Sequence, residues 1–226
     1  LEEHIKFILG DICNATSVFE AVDKTQPDVI YHLASTPFNP PTINANIHLE
    51  TILNGTLYLL EAVKNQTGIR VISAGSASEY GNGSQLREDY PPSPTTVFGA
   101  SKASATLLLK TYARLHSLHT VILRIFTPYG PWENPRRLIP YTILSALNRT
   151  PITITSGKQQ RDYFYLEDLV EALWLASLKP LSPGTTLNLC SGNAVTVRYV
   201  VERLLKLMGH PVPAQFGVLP TRPDEI

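Results

Sequence analysis

Hydrophobic and polar positions along this chain change period several times, and each change marks an element. The apolar runs IKFILG (Ile5 to Gly10) and VIYHLA (Val29 to Ala34) read as strands buried on both faces, because neither alternates with polar residues. Between them, TSVFEAVDKTQ has helical spacing behind a threonine cap. From Leu49 to Val63, the residues Leu49, Ile52, Leu53, Leu57, Leu60 and Val63 fall on one stripe, which predicts a core-facing helix. RVISAG is the next strand, Ser101 to His116 the next long helix, and TVILRIF (Thr120 to Phe126) the strand after it. Strand alternating with helix predicts a parallel sheet with right-handed crossovers. Ligand sites on such sheets lie at the carboxyl ends of the strands.

After Phe126 the texture changes and prolines thicken at Pro128, Pro131, Pro135 and Pro140. Arg136 to Leu147 reads as a helix, PITIT as a short strand, YLEDLVEALWLASL as a helix, TTLNLC as a strand and VRYVVERLLKLM as a helix. The proline-rich tail from Gly209 reads as irregular. The expected organisation is an α/β domain over residues 1–130 and, over 131–226, mainly a smaller mixed α/β lobe, with the chain crossing between the two. No repeat or low-complexity tract interrupts the pattern.

Composition narrows the partners. The 19 basic and 19 acidic side chains balance, so there is no basic footprint for nucleic acid and no Lys/Arg run for a membrane surface. No apolar run is long enough to span a bilayer, and no signal-peptide pattern opens the sequence. Cys13 and Cys190 have no metal or redox spacing, and the six histidines form no HExxH pattern. These features predict a cytoplasmic, reduced protein without a metal site.

Candidate chemistry collects in a few stretches. GSASEYG (Gly75 to Gly81) follows a buried strand, so Ser76 falls at a strand end. FGASK comes next, at the start of a helix, with Phe98 and Lys102 four apart and hence on one face. LRIFTPYGP (Leu123 to Pro131) ends the next strand, RDYFYLED (Arg161 to Asp168) reads as opening a helix, and RPDE holds Arg222. Taken singly, each has an ordinary explanation: Asp11 as a helix cap, Ser76 as a turn residue, Lys102 as a solvated helix lysine, Arg161 with Asp162 as a local ion pair.

Taken together, in this order and spacing, the stretches resemble the extended short-chain dehydrogenase/reductases, in their nucleotide-sugar epimerase/dehydratase branch. The resemblance covers nearly the whole chain. It implies that residues 1–130 are an NAD-binding Rossmann domain lacking its first β-α-β unit, and that 131–226 are mainly the substrate-binding lobe. It implies NAD as cofactor, a nucleotide-diphosphate sugar as ligand, and a homodimer. Asp11, with Ile12, matches the adenosine-binding segment, and Leu33, Ala34 and Ser35 match the segment lying along the cofactor. Ser76 matches the residue that hydrogen-bonds the reacting sugar oxygen. Lys102 matches the lysine of the YxxxK pair, which holds the nicotinamide ribose and lowers the phenol's pKa. Phe98 stands at the tyrosine's place. Phe126 matches the loop beside the nicotinamide, Thr127 that beside the sugar, and Arg161 and Arg222 match arginines that clamp the diphosphate, where a planar bidentate donor suits phosphate.

Four departures matter. No GxGxxG or GxxGxxG turn occurs in these residues, so the resemblance implies a first strand and glycine-rich turn ahead of Leu1. Ile52 replaces a frequent asparagine. Ala77 and Ser78 stand where the 4,6-dehydratases carry an Asp-Glu pair, which disfavours that dehydration. Phe98 lacks the phenol oxygen, whose general acid/base step is worth roughly 10²–10⁴-fold. It is either an inactivating substitution in an active enzyme or the mark of a protein with lost or altered chemistry. Retention of Ser76, Lys102, Arg161 and Arg222 favours the former. The implied activity is epimerisation of a nucleotide sugar at C4 through a 4-keto intermediate. The alternatives are an NAD(P)H-dependent 4-keto-sugar reductase or a silent nucleotide-sugar binder.

Overall fold

The computed structural model describes residues 4–37, 44–210 and 212–220. The chain divides into two compact units, one formed by Leu1–Arg124 with Leu173–Asn188, the other by Ile125–Ala172 with Leu189–Ile226.

The first unit is built on a four-stranded sheet in the order β1 (Val29–His32), β2 (Arg70–Ser76), β3 (His119–Ile125), β7 (Thr185–Leu189). β1 and β2 run parallel, with Val29 opposite Arg70 and His32 opposite Ser73. Strand order and helical crossovers make this an α/β fold of the Rossmann kind, with the core where α1 (Ala15–Thr25), α3 (Gly55–Val63) and α4 (Val97–His116) cover the sheet. Val18, Val22, Leu60, Val63, Val71, Leu109 and Ile122 meet there. Tyr31 on β1 donates its hydroxyl to Ser177 Oγ, and the Arg70 guanidinium donates to the Ser177 carbonyl, which ties the end of α6 (Leu166–Leu178) to the sheet.

Three details differ from the hydrophobic pattern. Ile5 to Gly10 forms no strand: Phe7 and Leu9 are fully exposed, and among the described residues this segment has no ladder partner. An apolar run becomes a strand only when its backbone groups are paired. The cap of α1 is Asn14, whose side chain accepts the Ser17 N–H at 3.1 Å, ahead of the expected threonine. The third is the helix before β2. It starts as α2 (Ala45–His48), passes through a π-helical turn over Leu49–Asn54, and continues as α3. A π turn widens the helix and rotates the turns C-terminal to it. The buried stripe is therefore Ile52, Thr56, Leu59, Leu60 and Val63, while Leu49 is exposed and Leu53 and Leu57 are only half-buried. Gly55, the first residue of α3, is required by a close approach: a Cβ there would stand 2.7 Å from Ile12 Cγ1.

The second unit has a three-stranded sheet with β6 (Gln160–Tyr165) between β4 (Thr127–Tyr129) and β8 (Ala194–Thr196), parallel to the first and antiparallel to the second. A parallel pair, β5 (Ile152–Ile154) with β9 (Ala214–Phe216), places a strand in the tail that reads as irregular. α5 (Leu138–Leu147) and α7 (Val197–Leu207) close over Ala146, Ile152, Ile154, Val201 and Leu205. RDYFY does not open a helix. It is strand β6, with Asp162 and Phe164 buried at period two, and α6 starts at Leu166. The buried Asp162 carboxylate accepts the backbone N–H groups of Ser191 at 2.7 Å and Gly192 at 2.8 Å.

Candidate active site

In the first unit, the carboxyl end of β2 and the start of α4 form one constellation. Ser76 is the last residue of β2 and the N-cap of a 3-10 turn over Ala77–Glu79. Its hydroxyl accepts the Ser78 N–H at 3.1 Å, and its own N–H donates to Glu79 Oε1 at 2.9 Å. This reciprocal capping box fixes the turn and keeps Ser76 half-buried at the strand's end. Thr96 caps α4 by accepting the Gly99 N–H at 3.0 Å. Gly99 then lets the helix lie directly on the 3-10 turn, since a Cβ there would stand 2.4 Å from the Ser78 carbonyl oxygen.

That contact brings Phe98 and Lys102 beside the end of β2. Lys102 is 6% exposed, and its ammonium donates to the Ala74 carbonyl at 2.8 Å. Burial pulls its pKa down to about 8, with the Glu79 charge opposing the shift. Phe98 is buried, with the Lys102 ammonium 6.0 Å from its ring centroid. His32 at the end of β1 shares a hydrogen bond with Thr56 Oγ1 at 2.9 Å. Burial first and the Lys102 charge second hold His32 down at about 4, so it is neutral at ordinary pH. A void of about 10 Å³, room for about one water, lies among His32, Ala34, Thr56, Ser73 and Lys102.

The remaining predicted positions of this unit lie just ahead of α1 and just after β1. Asp11 is exposed and is not the cap of α1: its Oδ1 accepts the Cys13 N–H at 2.9 Å in a local turn. Ile12 packs on Gly55. Leu33, Ala34 and Ser35 follow β1, with Leu33 and Ser35 exposed and Ala34 half-buried between them. In the second unit, Phe126 donates its N–H to the Leu189 carbonyl at 3.1 Å, and Thr127 pairs with Tyr163 across β4 and β6. Arg161 lies half-buried on β6, its guanidinium donating to the Gln160 carbonyl at 2.8 Å. Arg222 lies outside the described residues.

Sequence reasoning passed over the groups that support this constellation. Glu79 and Arg124 form an ion pair, Nε to Oε2 at 2.8 Å, with side chains 0% and 2% exposed. Arg124 also stacks its guanidinium 4.4 Å from the Tyr80 ring centroid and donates to the Glu88 carbonyl at 3.4 Å. The signal for it was present: an arginine in the middle of the apolar strand TVILRIF needs a buried partner. His48 was also missed. Its ring meets Phe98 edge-on, centroids 5.8 Å apart and planes at 78°.

A dinucleotide needs partners for its riboses and for its pyrophosphate. The residues present fit the first need: an exposed aspartate beside α3, open backbone after β1, and a buried ammonium with N–H groups beyond the one on Ala74. No glycine-rich turn for the pyrophosphate occurs in these residues.

Known proteins share this architecture. Residues 1–190 match the family described as "NAD dependent epimerase/dehydratase family". A UDP-glucuronate 4-epimerase of Thermodesulfobacterium geofontis is 30% identical over 95% of this chain and 67% of its own length. A dTDP-glucose 4,6-dehydratase of Haemophilus influenzae is 29% identical over 91% of this chain and 65% of its own. The chain thus spans about two thirds of the length of the curated relatives it matches. The UDP-glucuronic acid 4-epimerase of Bacillus cereus, solved with UDP-glucuronic acid and NAD, superposes with a TM-score of 0.88 over 97% of this chain and 70% of that one, at 28% identity.

Proposed function

We propose that this chain, which belongs to the NAD-dependent epimerase/dehydratase family, takes part in the NAD-dependent epimerisation of a nucleotide-activated sugar at C4. The observation that carries the reading is the buried Lys102 ammonium, held on the Ala74 carbonyl two residues before Ser76. A lysine is rarely buried without a task or a partner. In this reading its task is to meet a ribose hydroxyl and bring charge to a reacting sugar oxygen.

In this reading Ser76 donates its hydroxyl to the sugar's C4 oxygen and stabilises the charge that develops there. Lys102 hydrogen-bonds the nicotinamide ribose and supplies positive charge to the same corner. Asp11 and Ile12 hold the adenosine, and Leu33, Ala34 and Ser35 line the path between. Phe126 and Thr127 border the nicotinamide and the sugar, and Arg161 and Arg222 take the diphosphate. NAD, when bound, supplies the acceptor and later the donor of the C4 hydride. Epimerisation is preferred to 4,6-dehydration because Ala77 and Ser78, in the 3-10 turn after Ser76, carry no acid to remove or deliver a proton at C5 and C6. The 4-keto-sugar reductase reading uses the same residues once per turnover. A cofactor that stays bound through turnover separates it from the epimerase.

The test is chromatography of nucleotide sugars after incubation of the full-length protein and its Phe98→Tyr variant with NAD. The ring pocket already exists, so the added oxygen should need little repacking. The variant is expected to interconvert a pair of C4 epimers at least ~10²-fold faster than a protein lacking any acid/base group at this position. A tyrosine variant that binds no nucleotide sugar and turns over none across a broad panel would remove the reading.

A further inference from the structure

Phe98 leaves the constellation without a phenol, yet the pocket around its ring contains one titratable side chain to which the proposed chemistry assigns no role. His48, the last residue of α2, is 5% exposed and set edge-on against Phe98. Its Nδ1 lies 2.6 Å from Thr36 Oγ1. Among the described residues, the ring's hydrogen bond is made through Nδ1, which leaves Nε2 for a ligand. The π-helical turn begins immediately after it, at Leu49, and π turns inside helices recur at functional sites.

We infer that His48 is the acid/base group of this site, taking the part that a phenol at position 98 would otherwise play. The inference rests on the reading of the site as one that oxidises and re-reduces a sugar carbon. With Nδ1–H donating to Thr36 Oγ1, Nε2 carries a lone pair and can accept the proton of the C4 hydroxyl. As that O–H bond breaks, the C4–H bond would break too, and NAD, when bound, would take the hydride and be reduced as the sugar is oxidised to the ketone. Return of the hydride to the other face of C4 would reoxidise NAD as Nε2 gives its proton back to the oxygen. Protons and electrons balance over the cycle. The Thr36 contact serves both halves, because Nδ1 keeps its N–H whether Nε2 is protonated or not.

The electrostatics suit a base at neutral pH. Burial lowers the His48 pKa from its ordinary value, so the imidazole is uncharged and able to accept. The elements packed against α2 are α4 and the π-helical turn: α4 carries Lys102 near its start and Lys110, Tyr112, Arg114 and His116 two or more turns further on, the π turn carries Glu50, and His32 lies at the end of β1. Lys102 is engaged on Ala74, Glu50 is exposed and accepts from Asn54, and His32 is itself neutral. The sequence signal was slight, a lone histidine about fifty residues ahead of FGASK, and only the fold sets the two rings together.

The experiment compares the full-length protein with His48→Asn, Phe98→Tyr and the double variant. Asparagine keeps a polar atom for Thr36 but cannot titrate near neutrality. The parent is expected to turn over nucleotide sugars, His48→Asn to lose about 10²-fold or more in kcat with KM little changed, and Phe98→Tyr to restore turnover in the His48→Asn background. The parent's kcat/KM should rise through a pKa below 6.5, the ordinary histidine value, and that limb should vanish in His48→Asn. A second readout needs no turnover: the His48 ring-proton signal should titrate below that ordinary value in the free protein and move on addition of UDP-glucose or UDP-glucuronic acid. An unchanged rate in His48→Asn overturns the inference. A silent parent beside an active Phe98→Tyr variant overturns it too, while leaving the epimerase reading standing. Silence of both, with no nucleotide-sugar binding, removes both.

Discussion

Replacing Glu79 by glutamine tests whether the buried ion pair behind the candidate site organises it. The carboxylate is fully buried and joins two partners: Oε2 meets Arg124 Nε at 2.8 Å and Oε1 accepts the Ser76 N–H at 2.9 Å. Glutamine keeps the volume and one acceptor but removes the charge. Arg124, 2% exposed, keeps the Tyr80 ring and the Glu88 carbonyl among the described residues but has lost its opposite charge. Removing one partner of a buried pair costs about 3–5 kcal/mol. With a urea m-value of roughly 3 kcal/mol/M, the upper end for small proteins, a loss of about 4 kcal/mol moves the midpoint down by roughly 1.3 M. Urea unfolding followed by circular dichroism should show this shift in the unit that carries the pair. The double variant Glu79→Gln with Arg124→Met removes the stranded cation and should recover a large part of the loss, a positive coupling of about 1–3 kcal/mol. A single-variant midpoint within roughly 0.3 M of the parent would mean that water reaches the pair, and the account of Ser76 as held by a desolvated carboxylate would be wrong.

Lys102, held at about 8 by burial, binds fewer protons in the folded chain than in the unfolded one between about 8 and its ordinary 10.5. Stability should therefore rise with pH across that window, by roughly 3 kcal/mol at most. Thermal melts of the parent and of Lys102→Met should show the slope in the parent only. Gly99→Ala forces a Cβ to 2.4 Å from the Ser78 carbonyl. It should cost about 1–3 kcal/mol and lower the melting temperature, and an unshifted melt would refute the close packing of α4 on the 3-10 turn. Arg161→Ala and Arg222→Ala should each weaken nucleotide-sugar binding by roughly 1.5–3 kcal/mol, measured by titration calorimetry, and unchanged affinity in both would put the diphosphate elsewhere.

Local pattern in the sequence was enough to mark three strands and the covering helices of the first unit, but not β7 as the fourth strand of its sheet. Arg70–Ser76 and His119–Ile125 are strands with buried apolar runs, because apolar residues without alternation must be covered on both faces; Val29–His32 is a strand too, but Tyr31 is exposed and only His32 is buried, against the expectation of cover on both faces. Pattern was also enough to mark Ser76, Phe98 and Lys102 for attention, since strand ends and a four-residue helical spacing are local properties. Pattern failed where an element depends on a partner distant in the chain. Ile5 to Gly10 has a strand's composition but no ladder. Ala214–Phe216 has little strand character and becomes one beside Ile152–Ile154. The extra width of the π turn, which moves the buried stripe from Leu49, Leu53 and Leu57 to Thr56 and Leu59, leaves no periodic trace because it breaks the period. Charge was decided by tertiary structure alone. In one dimension Glu79 reads as an ordinary surface residue, and neither Lys102 nor Arg124 shows which group it meets. The pairing of Glu79 with Arg124 across 45 residues, the depth of burial that lowers the lysine's pKa, and the meeting of His48 with Phe98 arise only when the chain closes. Desolvation and Coulomb energy depend on distance in space, and sequence order carries no measure of it.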